Sequence, residues 1–198
     1  MDNHEVVEAL RNAVLDLASN SPDSELTVAA VAGAAGISRD EFYRYASSPV
    51  QLLADALSDE LLSQFEELEE RYPDELVRAM RARISLIHIA KWAKVYGGPV
   101  RKQLMQALRQ TLEPSFRIIN EKDIRKHPEL LPEGISLDDD LAIKFVSAYN
   151  TGGGMAAIEI WVDQPEPDVE RGMQLLSAFS PLSHHLKVDP PPQTSPDD

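Results

Sequence analysis

The chain has 198 residues, 43% of them hydrophobic, no cysteine and a formal net charge of −14, enough for a well-buried core in one or two domains. The missing thiols exclude disulfides, cysteine-ligated metals and thiol redox switches, and no apolar run approaches the length that crosses a bilayer. Met1-Asp2-Asn3-His4-Glu5 lacks the basic start and apolar stretch of a secretory signal, so a cytoplasmic location is expected.

In chain order, Val6, Leu10, Val14 and Leu17 share one face of a first helix. The stretch Leu26 to Tyr45 then reads as two short helices joined by a tight turn. Thr27 suits the first cap, and Val28, Val31, Ala32 and Ala35 supply an apolar stripe. Gly36 can take the positive φ that ends it, and Ile37 can plug the corner. Ser38 caps the next helix, with Glu41 placed to complete a capping box. This is a helix-turn-helix. A fourth, long helix opens at Ser48-Pro49, with Gln51 placed for a second capping box. It runs through Leu52, Leu53, Ala56, Leu57, Leu61, Leu62, Phe65 and Leu68 to Tyr72-Pro73.

Asp74 is positioned to cap a fifth helix that turns Leu76, Val77, Met80, Ile84, Ile87 and Ala90 inward and ends near Tyr96-Gly97-Gly98-Pro99. Pro99 restarts a sixth helix to Ile119, with Pro114 predicted to kink or break it. Glu121 to Leu137, with Pro128, Pro132 and Gly134, reads as a loop with short helical pieces. Ser136 is expected to cap the acid-rich start Asp138-Asp139-Asp140 of a helix through Phe145, Tyr149, Gly152-Gly153-Gly154, Met155, Ile158 and Trp161. After Gln164-Pro165-Glu166-Pro167, Val169 to Phe179 forms a last helix. Residues 189–198 are Pro-rich and acidic and are expected to be disordered. Strand-like alternation is absent throughout, which predicts an all-α fold.

Thr27, Val31-Ala32, Ala35-Gly36-Ile37-Ser38 and Phe42-Tyr43-Arg44-Tyr45 resemble the DNA-binding motif of TetR-family regulators over about residues 6 to 57. The resemblance implies an N-terminal three-helix DNA-binding domain (1–47), a larger helical ligand-binding and dimerisation domain (48–188) and a disordered tail (189–198). It implies double-stranded operator DNA as partner, with Thr27, Ser38, Arg39, Tyr43, Arg44 and Tyr45 at the interface and Phe42 turned inward. Arg39 can read a guanine edge, while Tyr43, Arg44 and Tyr45 suit phosphates. Departures from the family pattern are Asp40 and Glu41 where small or hydroxyl residues are usual, and Pro49 where a lysine is usual. Charge departs as well. Residues 1–60 hold three basic side chains against eleven acidic ones, while residues 71–126 hold thirteen against five. That balance keeps open an alternative: a helical scaffold that no longer binds DNA directly and acts through a protein partner or as a ligand sensor.

Three consecutive glycines in a helix cost roughly 1 kcal/mol each against alanine, so close packing against another backbone is expected there. The resemblance implies a homodimer through the last two helices, with Gly152, Gly153, Met155, Ile158, Met173 and Leu176 at the interface. It also implies an unidentified small-molecule effector. Met80, Ile84, His88, Trp92, Met105, Phe116 and Tyr149 mix apolar bulk with polar tips and are the pocket candidates. The basic middle of the chain hints at an anionic effector, with Arg83 or Lys91 as counterion. Enzyme chemistry is not expected. His88, His127 and His184-His185 lack metal-ligand spacing with a carboxylate, no Ser/His/Asp arrangement is suggested, and the glycine triplet lacks the strand and lysine of a phosphate loop. No cofactor, metal or membrane partner is expected.

Overall fold

The computed structural model describes residues 2–21, 25–164 and 166–179. The expected disordered tail, and residues 180–188 of the larger predicted domain, lie outside them. The described residues form nine α-helices and a 3-10 turn, with no strand among them. They are α1 (Asn3–Asn20), α2 (Val28–Ala34), α3 (Arg39–Tyr45), α4 (Pro49–Arg71), α5 (Asp74–Lys91), α6 (Ala93–Tyr96), α7 (Arg101–Lys126), α8 (Asp140–Val162) and α9 (Val169–Phe179), with the 3-10 turn at Pro128–Leu130 between α7 and α8. The chain is all-α, as the sequence pattern predicts.

Helix α4 is the spine. It buries Leu52, Leu53, Ala54, Ala56, Leu57, Leu61, Phe65 and Leu68 and packs against α1, α5 and α7. Helix α7 in turn carries α8, and α5 carries α9. One continuous apolar core runs from Val6 in α1 through Phe42 and Leu57 to Val162, so the first three helices share buried surface with the rest. Burial on this scale, at about 25 cal/mol per Å² of apolar surface, is what holds helices as short as α2 and α3 in place.

Local signals hold where they are local. Ser48 Oγ accepts from Gln51 N at 3.1 Å. The Gln51 side chain, expected to close the box, instead donates to Asp55 at 2.8 Å and to Thr111 at 3.3 Å, tying α4 to α7. A reciprocal box forms at Asp2 and Glu5 of α1, which the sequence reading missed.

Five expectations need correction. Helix α7 continues through Pro114 to Lys126, seven residues beyond the expected end at Ile119. Pro114 is exposed, and burial of Leu112 and Ile124 on either side outweighs a lost hydrogen bond and a proline cost of about 3 kcal/mol. Helix α5 ends at Lys91, and Trp92 separates it from the short α6. Its first residue is Asp74, which makes no side-chain cap and pairs with Lys126 at 2.7 Å. Ile87 faces outward, whereas Arg81, Ser85 and His88 are buried. Asp139, not Ser136, caps α8 by accepting from Ala142 N at 3.0 Å, and Ser136 closes a turn by accepting from Asp138 N.

The close-packing glycine is also not among the expected three. Cβ atoms built on Gly152, Gly153 or Gly154 would meet nothing within 4 Å, so within the chain the triplet faces open space. At Gly172 a Cβ would lie 2.8 Å from Leu86 Cδ1 and 2.9 Å from Trp161 Nε1, and Trp161 is itself held by its bond to the Asp168 carbonyl. Gly172 lets α9 settle on α5 and α8. Gly172→Ala should cost about 1–3 kcal/mol by overpacking, read as a lower urea midpoint. Gly153→Ala should leave the unfolding midpoint of the isolated chain unchanged or raised.

His88 is buried beside Glu60, 3.5 Å away, and Glu60 also accepts from Lys91 and Trp92. Burial outweighs the pull of that carboxylate and pushes the imidazole below its ordinary value of 6.5. The unfolded imidazole titrates higher, so the unfolded chain binds the extra proton first. The stability contributed by neutral His88 is complete above about pH 6.5 and declines as pH falls through the window below it. Subtracting the stability profile of His88→Leu from that of the parent should isolate this slope. A difference that is flat between pH 7 and 5 would contradict it.

Candidate nucleic-acid interface and internal cavity

The turn between α2 and α3 is built from backbone geometry. Gly36, at φ 71°, occupies the left-handed conformation that L side chains rarely adopt. Its N–H reaches the Gly33 carbonyl at 3.2 Å and the Ile37 N–H reaches the Ala32 carbonyl at 3.0 Å, closing the end of α2. Thr27 Oγ1 caps α2 by accepting from Ala30 N at 3.2 Å, and Ser38 Oγ caps α3 by accepting from Glu41 N at 3.1 Å. Both hydroxyls hold the motif while remaining exposed.

Phe42 is the pin. It is fully buried, and Tyr43 beside it is 61% exposed and meets its ring edge-on at 5.6 Å. The inward turn of Phe42 leaves Arg39, Asp40, Tyr43 and Arg44 on the outer surface. Tyr45 is half-buried and its hydroxyl donates to Asn3 Oδ1 at 2.8 Å, fastening α3 to the start of α1.

The charges sort in a way that counts alone do not show. Of the three arginines in residues 1–60, Arg11 pairs with Asp59 at 2.9 Å and ties α1 to α4. Arg39 and Arg44 have no ion partner among the described residues. The basic middle of the chain is mostly consumed internally. Arg81 bridges Glu69 and Asp123, Lys122 reaches Glu69, Arg83 meets Glu170, Arg101 meets Asp163, Arg109 meets Glu159 and Arg125 meets Asp140. Two cations on the outer face of α3 are therefore free while most of those in α5 and α7 are neutralised.

A cavity of about 1280 Å³ lies among α4, α5, α7, α8 and α9. Phe65 and Phe116, stacked at 6.0 Å, form part of its wall together with Leu86, Ile119, Ile158 and Trp161, and Arg78, Arg81, Asn120, Asp123 and Asn150 add polar groups. Of the seven residues suggested as pocket candidates, Phe116 and Tyr149 line it. Met80, Ile84, His88, Trp92 and Met105 do not. Neither of the expected counterions lines it either: Arg83 is engaged by Glu170 and Lys91 by Glu60. The sequence reading took apolar bulk on α5 as the guide, and missed Arg78 and Arg81, whose charge suggested solvent.

The residues expected at a dimer interface divide between two surfaces. Met155, Ile158, Met173 and Leu176 are half-buried and pack against this chain's own core, so they face inward. Gly153 faces outward, and Gly152 is half-buried. The outer face of α8 is a stripe the sequence reading did not single out. Leu141, Phe145, Tyr149 and Ile160 are between 69% and 77% exposed, with Gly153 and Ala156 between them, and Tyr149, Gly153 and Ile160 also border the open side of the cavity. Hydrophobic residues occur on both sides of α8, which has a mixed pattern from which the outward face could not be chosen.

Among the described residues, no group of histidines and carboxylates is placed to hold a metal ion, and no helix is long and apolar enough to cross a membrane. No protein-family model and no curated protein sequence matches the chain. Among solved structures, it is similar to one from Syntrophomonas wolfei, provisionally described as a TetR-family transcriptional regulator. The TM-score is 0.60 at 14% identity, and the match covers 93% of this chain and 95% of that one. With a capped helix-turn-helix at one end and a helical body built on α4 and α7, the chain has the fold of the TetR-family regulators.

Proposed function

We propose that the protein is a transcriptional regulator that binds operator DNA as a cytoplasmic homodimer and releases it when a small molecule enters the cavity, and so acts as a repressor. One observation carries the DNA reading: Arg39 and Arg44 are exposed on the outer face of α3 without ion partners among the described residues, within a segment where acidic residues outnumber basic ones eleven to three. Nearby carboxylates are abundant, yet these two guanidiniums are left available. Arg39, in the first turn of the helix, is suited to a base edge, and Arg44 with Tyr43 to the phosphates that fix register. The homodimer reading draws on the exposed α8 stripe. It is apolar, it exceeds what isolated surface residues present, and its exposed Gly153 lets a second backbone approach closely.

A second reading has its own support. Asp40 is exposed beside Arg39, and no lysine precedes Lys91. A scaffold that engages a protein partner through this face would show the same features.

Fluorescence anisotropy with duplexes from the DNA flanking the gene separates the two. Arg39→Ala should weaken binding to the preferred duplex at least about tenfold and relax its selectivity, whereas Arg44→Ala should weaken all duplexes alike. Absence of any sequence-selective binding at low ionic strength favours the scaffold reading. For the dimer, Phe145→Glu should halve the mass seen by light scattering. A parent chain that already runs as a monomer removes the homodimer.

A further inference from the structure

The cavity's polar groups are unbalanced in one direction. On the residues that line it, the buried side-chain atoms without a hydrogen-bond partner among the described residues are Arg78 Nε and Nη1, Arg81 Nε and Asn150 Nδ2. All four are N–H donors. Buried donors left unpaired cost free energy, and arginine cannot shed its charge to reduce that cost. A native structure keeps such a cluster where something else supplies acceptors.

The charges around it narrow what that something is. Arg81 is almost wholly buried and already gives Nη1 to Asp123 at 2.8 Å and Nη2 to Glu69 at 2.7 Å. Lys122 also binds Glu69. Arg78, one turn earlier on α5, has no ion pair among the described residues. Glu129, on the 3-10 turn, is exposed and hydrogen-bonded to His127 at 3.1 Å. Arg81 is thus matched by Glu69 and Asp123, while Arg78 acts on Asp123 and Glu129 only through space and is bound by neither. Asp123 beside the vacant donors would repel a second negative charge. Beyond this polar group Phe65, Phe116, Ile119, Ile158 and Trp161 form an apolar stretch of wall, and Gln164, Glu166, Asp168 and Arg171 add polar groups elsewhere on it.

Resting on the reading of this cavity as the effector site, we propose that its ligand is an amphipathic monocarboxylate, its carboxylate held by Arg78 with Arg81 Nε and Asn150 Nδ2, and its apolar body along the phenylalanines toward Trp161. A carboxylate offers about four lone-pair sites on its two oxygens, enough to accept from one vacant donor of Arg78 together with Arg81 Nε and Asn150 Nδ2. The space of about 1280 Å³ exceeds what a compact acid such as acetate would fill, so the body is extended.

Trp161 lines the cavity and the chain has two tryptophans, so the full chain carrying Trp92→Phe reports the site by fluorescence. The probes are decanoate, decan-1-ol and decylammonium, which share a chain and differ in head charge. Decanoate should bind about tenfold tighter than decan-1-ol, and decylammonium weaker than both. Arg78→Gln should erase the decanoate preference, leave decan-1-ol binding in place and leave the ligand-free protein at least as stable; Arg78→Lys should retain part of the preference. Equal binding of decanoate and decan-1-ol, a preference that survives Arg78→Gln, or marked destabilisation of the ligand-free protein by that change overturns the carboxylate assignment while the cavity stands as a binding site. Silence of Trp161 to all three probes, with no change in thermal midpoint, overturns the effector site itself.

Discussion

Burial of Phe42 is the constraint on which the rest depends. A seven-residue helix cannot hold itself in water, because its nucleation cost exceeds what two turns of hydrogen bonds return. Helix α3 exists because Phe42 sits in the core shared with α1 and α4, because Ser38 caps one end, and because Gly36 sets its angle to α2. Once Phe42 is inside, the roughly 100° step per residue decides what lies outside: Arg39, Asp40, Tyr43 and Arg44. Tyr45, held by Asn3, limits rotation of the same helix. The face offered to a partner is thus a by-product of core packing.

Electrostatics follows a similar division between structure and availability. Most cations of α5 and α7 are matched by carboxylates on α4, α5, α7, α8 and α9, so a segment rich in lysine and arginine presents little free positive charge. Exposed pairs of this kind are worth about 0–1 kcal/mol each, so their main effect is to cancel charge rather than to hold the fold. Against that background the unpaired arginines stand apart. Arg39 and Arg44 are exposed on a helix that itself could be read by a partner, and Arg78 is withdrawn beside a cavity with partnerless donors. The two locations sit at opposite ends of a continuous packing path through α4, the geometry that coupling between a ligand and the reading helices would use.

How much was legible in the sequence depended on the range of the interaction. The turn at Gly36, the caps at Thr27, Ser38 and Ser48 and the inward Phe42 are local, and each was readable from a few neighbouring residues. The extent of α7 was not, because Pro114 and Pro128 carry strong local signals that burial of Leu112 and Ile124 overrides from a distance. Gly172 went unnoticed because only the meeting of α5, α8 and α9 makes its missing side chain necessary. The residues of α8 expected at one interface fall on two faces for a similar reason. Met155 and Ile158 look alike with Phe145 and Ile160 on paper, and only the position of α7 and α9 decides which pair is covered.

The central claim is that α3 engages a duplex through a small number of free arginines. The salt dependence of duplex binding by the parent protein tests it most directly, because the slope of log affinity against log salt counts the phosphates neutralised. Two free arginines per protomer of a dimer predict sequence-selective binding with a shallow slope, about −4 or smaller in magnitude. A slope near −10, or no selective binding at any ionic strength, would contradict the account.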